Sequence, residues 1–65
     1  MNYITRKLID LIVADYYKGD TEKCTMFFLK TELKEEMLKD VLQTFNEFGY
    51  EMAKGVFLNE VFDGR

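Results

Sequence analysis

Cys24-Thr25-Met26-Phe27-Phe28-Leu29 is the stretch on which the fold turns. It is rich in aromatic, sulfur-bearing and β-branched side chains, the composition of a strand. Alternation places Cys24, Met26 and Phe28 on one face and Thr25, Phe27 and Leu29 on the other. Both faces are apolar, which is the pattern of a central strand covered on each side.

The residues just before it, Gly19-Asp20-Thr21-Glu22, read as a turn. They hold too few spaced oxygen ligands for a calcium loop, and one glycine does not make a phosphate cradle. Further back, Tyr3 to Lys18 reads as a helix. Ile4, Leu8, Ile9, Leu11, Ile12, Val13 and Tyr16 occupy one arc of about 200°. A helix covering one side of a core needs a stripe of only about 100° or somewhat more. Arg6, Lys7 and Asp10 form the narrow wet side, and Gly19 follows as the stop signal. Asp15 falls within the apolar arc; a place in the last turn, reaching water, is preferred over a buried carboxylate, because unpaired acids are rarely buried.

Downstream, Thr31 to Phe48 is the clearest element. Leu33, Met37, Leu38, Val41, Leu42, Phe45 and Phe48 share one helical face. Thr31 is the expected cap, Glu32, Glu35 and Glu36 complement the positive end of the helix dipole, and Gly49 ends the run. In the tail, Tyr50 to Asp63, the residues Met52, Val56, Phe57, Leu58, Val61 and Phe62 scatter around a helical wheel. A hairpin turning at Ala53-Lys54-Gly55, with Gly55 at positive φ, is therefore expected over 50–63. The order becomes α-β-α-β-β. A right-handed crossover and an antiparallel return strand then give an α+β, two-layer single domain over residues 1–65, with two helices on one face of a three-stranded mixed sheet.

Composition narrows the chemistry. There is no histidine and only one cysteine, Cys24, among 65 residues. That excludes an internal disulfide and a four-ligand Cys/His zinc site, and it favours a reducing cytoplasm. The start of the chain, from Met1 to Lys7, lacks the features of a secretory signal, and the apolar runs Leu11 to Ala14 and Met26 to Leu29 are far short of the ~20 residues that span a bilayer. No nucleophile with a base and no acid pair at a cleft is evident, so a non-enzymatic role without cofactor, metal or small-molecule substrate is expected. Cys24 reads as a small buried hydrophobe, and the four tyrosines as residues straddling core and solvent.

Two surfaces remain. Glu32, Glu36, Asp40 and Glu47 lie within about 80° on the Thr31–Phe48 helix, with Gln43 among them and Lys34 and Lys39 nearby. Such a line of carboxylates can occupy a basic groove in place of a phosphate backbone, or it can be an ordinary solvated face. The second surface is a surplus of apolar side chains, Ile9, Val13 and Tyr16 on the first helix and Phe27 and Leu29 on the strand, suited to a homodimer or a foreign partner. The expected function is a small acidic regulator or inhibitor that binds another protein with a basic surface, itself a nucleic-acid-binding host protein, as in products of phages or mobile elements. Direct binding to nucleic acid or membrane is not expected of a chain with a net charge of −3. The element order also resembles a winged helix, with the hairpin at Lys54 as the wing. That resemblance implies a DNA-binding transcriptional regulator, although the reading helix would be acidic.

Overall fold

The computed structural model describes residues 2–63, and the elements it forms over them are helices, with no strand. They are α1 (Tyr3–Tyr16), α2 (Thr21–Lys30), α3 (Glu35–Phe48), α4 (Tyr50–Leu58) and a terminal π-helical turn (Asn59–Asp63). The expected α+β sheet is overturned, because the segments meant to supply its three strands, 24–29 and 50–63, are helical. The chain divides between Leu33 and Lys34 into two compact units.

The first unit is a pair of helices. The Asn2 side chain caps α1 by accepting from the Thr5 N–H at 2.8 Å. At the other end, the Gly19 N–H bonds the Ala14 carbonyl at 2.8 Å and the Lys18 N–H bonds that of Asp15 at 3.3 Å. These two bonds satisfy carbonyls that the last turn of a helix leaves open. The left-handed position in this cap is taken by Lys18 at φ 56°, one residue earlier than the glycine expected to stop the helix; Gly19 follows at φ 80°. The chain re-enters a helix at once, because the Asp20 carboxylate accepts from the Lys23 N–H at 3.1 Å.

That cap explains why Cys24 to Leu29 is helical. Glu22 in the first turn and Lys30 in the last both complement the α2 dipole. Cys24, Phe27 and Phe28 stand at i, i+3 and i+4, so they share a side, while Met26 and Leu29 point outward. Phe27 is buried and Cys24 and Phe28 are half-buried. The Cys24 thiol lies 3.8 Å from the Val13 carbonyl, and the Phe28 ring lies 4.5 Å beneath the Arg6 guanidinium, whose Nε also donates to Asp10 at 2.7 Å. Phe27 meets the Tyr17 ring at a tilt of 59°, centroids 6.3 Å apart, and Tyr17 is edge-on to Tyr16 at 4.9 Å.

In the second unit, α3 and α4 pack on each other, with Leu38, Val41, Ala53 and Phe57 buried. The helix expected from Thr31 begins later, at Glu35. Lys34 stands at its N-cap with no side-chain hydrogen bond, and Thr31 instead closes α2 through an N–H bond to the Phe27 carbonyl at 3.0 Å. The tail is α4 and the π-helical turn, so the expected hairpin over 50–63 is overturned. Ala53-Lys54-Gly55 lies inside α4, and Gly55 has no positive φ. Tyr50, Ala53, Lys54 and Phe57 follow the i, i+3, i+4, i+7 spacing and form the less exposed side of this helix. There is consequently no hairpin at Lys54 to act as a wing.

One residue, Gly49, separates α3 from α4. Its N–H bonds the Phe45 carbonyl at 2.9 Å, closing α3, and its own carbonyl accepts from the Ala53 N–H at 3.2 Å, opening α4. Doing both requires φ 96° and ψ −176°, a conformation essentially confined to glycine.

The two glycines should therefore respond oppositely to alanine. Gly49→Ala is expected to lower stability by about 1–3 kcal/mol through backbone strain. A Cβ at Gly55 meets nothing within 4 Å, so Gly55→Ala is expected to raise stability by up to ~1 kcal/mol through helix propensity. Urea midpoints at unchanged slope measure both changes. A hairpin in the tail would instead make Gly55→Ala destabilising.

Candidate protein-binding faces

The outer side of α3 carries Glu36, Asp40, Gln43 and Glu47, all exposed. The register follows from burial of Leu38 and Val41 on the opposite side of the helix. The Gln43 amide donates to a Glu47 carboxylate oxygen at 3.1 Å, tying the C-terminal half of the face together. Glu36 and Asp40 have no ion-pair partner among the described residues. Like charges four residues apart cost only a few tenths of a kcal/mol, which the helix tolerates. Glu32 does not extend this line. It lies in the segment between α2 and α3, on the first unit's side of the division.

Beside Glu36 and Asp40 the surface dips into an open depression of about 340 Å³ that Glu60 of the π-helical turn also borders. Among the described residues no three His, Cys, Asp or Glu side chains come together in a way that could hold a metal ion. A second open depression, of about 450 Å³, lies over Gly55 between Met52, Val56 and Leu58, where the missing side chain leaves room.

The expected apolar surface is redistributed. Ile9, Val13 and Phe27 are buried at 0%, 2% and 6% exposure, whereas Tyr16 at 43% and Leu29 at 76% are exposed. On α1 the wide arc is buried along its Ile9–Val13 edge. Part of the reason is that α2 lies on this side, with Cys24 on the Val13 carbonyl. The other edge, Ile4 and Leu11, is left exposed. On α2, helical rather than alternating geometry separates Phe27 from Leu29 and sets Leu29 near Met26 on the outside. Lys23 and Lys30 line that outer face. Phe48 and Met52 are exposed in the second unit, a feature sequence reasoning missed because Phe48 falls on the apolar face of its helix and Met52 in a tail expected to form a hairpin. Asp15 is exposed, as its place in the last turn of α1 implied.

Among the described residues no helix is long and apolar enough to cross a membrane. Compared with known protein families, curated proteins and solved structures, the chain has no significant match.

Truncations along α2 report its register. Phe27→Ala is expected to cost about 3 kcal/mol or more, as for a buried ring, and Leu29→Ala to stay within about 0.5 kcal/mol. Comparable losses at the two positions in a denaturant titration would return them to one shared face.

Proposed function

We propose that this chain is a protein-binding module whose α3 face meets a basic surface on another protein. The observation that carries the reading is the row of exposed carboxylates at Glu36, Asp40 and Glu47, with Glu36 and Asp40 unpaired among the described residues. Fixed on one helix, the three are presented in a constant geometry over about 16 Å. A rigid line of like charge steers an oppositely charged partner into register and speeds encounter. A partner that itself grips nucleic acid offers such a basic groove, and occupying the groove makes the chain an inhibitor. This reading takes up the acidic stripe expected from the sequence, shortened by the loss of Glu32.

The test is capture from a bacterial lysate by immobilised wild-type chain and by a Glu36→Lys, Asp40→Lys variant whose helicity matches by circular dichroism. Proteins bound through this face are expected to be retained by the wild type at low salt, released at about 0.5 M salt, and lost on the variant. A set of captured proteins that is indifferent to both salt and the variant would sink the proposal.

A further inference from the structure

The outer face of α2 has the chemistry the α3 face would seek. Lys23 and Lys30 are both exposed and stand seven residues apart, which on a helix is two turns, about 10.5 Å and nearly in line. Met26 lies between them, 43% exposed, while Leu29, 76% exposed, stands further round the helix in line with the exposed acid Glu22 seven residues before it. On α3, Asp40 and Glu47 are also seven residues apart, so the two carboxylates repeat the same spacing along the helix. Phe48, 66% exposed, follows directly on Glu47 but stands seven residues from Val41, round the helix from the two carboxylates. Each face thus presents a pair of like charges, on α2 with Met26 between them. The charges are opposite in sign and equal in spacing. Antiparallel docking, favoured by the opposed helix dipoles, sets Lys30 against Asp40 and Lys23 against Glu47.

We infer that the chain self-associates, the α2 face of one copy docking on the α3 face of a second. The inference rests on the reading of α3 as a docking face and adds the occupant, a second copy. Charge complementarity selects that occupant. Exposed ion pairs contribute little singly, so the contact depends on both pairs acting together with Met26 between the lysines, and it weakens as salt screens the charges.

Charge exchange between copies tests it, with sedimentation equilibrium of the full chain at low salt as the measurement. Wild type is expected to associate. Lys23→Glu with Lys30→Glu, and separately Asp40→Lys with Glu47→Lys, are each expected to weaken association at least about tenfold. Mixed together, the two variants are expected to form the pair that neither forms alone, since every contact is again between opposite charges. Should either reversed variant fail to fold, the neutral pairs Lys23→Gln, Lys30→Gln and Asp40→Asn, Glu47→Gln replace both. Each is then expected to weaken association, with no recovery on mixing. A wild type that stays monomeric at about millimolar concentration, a level at which even ~4 kcal/mol of association would show, overturns the inference. So does association unchanged by the variants, or a reversed pair that does not recover on mixing. Lysate capture through Glu36 and Asp40 that persists in such a monomer leaves the α3 face a docking surface for other proteins and removes only the second copy.

Discussion

Between Phe48 and Tyr50 there is one residue, and its backbone carries the termini of two helices. Gly49 donates to the last turn of α3 and accepts from the first turn of α4. With so short a connection, the direction in which α4 leaves α3 is fixed by the φ and ψ of a single peptide unit. In the direction this backbone sets, Ala53 and Phe57 on α4 and Leu38 and Val41 on α3 are buried. The connection in the first unit is less economical. There the left-handed position falls on Lys18, a residue for which that conformation carries a strain energy, and Asp20 is needed to start the next helix.

Much of this was written locally in the chain. The helical periodicity of α1 and α3 was legible from spacing alone, as were the stops near Gly19 and at Gly49. The Cys24 to Leu29 segment misled because five apolar residues and a threonine satisfy a strand template as easily as a short piece of helix. The deciding signals lay just outside that window. Asp20 three residues before Lys23 is an N-cap, and Glu22 and Lys30 suit the two ends of a helix dipole. In the tail the apolar residues do scatter, but the side that faces inward is marked by Tyr50, Ala53 and Phe57, and a buried alanine carries almost no weight in a hydrophobic pattern. Gly55 then read as punctuation, although in the structure it is a helix residue that costs some stability.

The candidate faces were legible to different degrees for the same reason. Glu36, Asp40 and Glu47 depended only on the register of α3, which was secure, and they stand together on its outer side. The apolar positions depended on which edge of α1 is covered and on the geometry of residues 24–29. One-dimensional patterning carries neither. Ile4 and Leu11 exchange places with Ile9 and Val13 once α2 lies where it does.

The connections have a consequence for how quickly the chain folds. Within each unit the helices that touch are consecutive in sequence, joined by Tyr17 to Asp20 in one case and by Gly49 alone in the other. Little loop entropy stands between forming a helix and docking it on its neighbour. Chains dominated by such local contacts fold in microseconds to milliseconds. A molecule assembled this way can lose a helix to a transient opening and recover it long before a slower encounter, with a protease or with an aggregating neighbour, runs to completion.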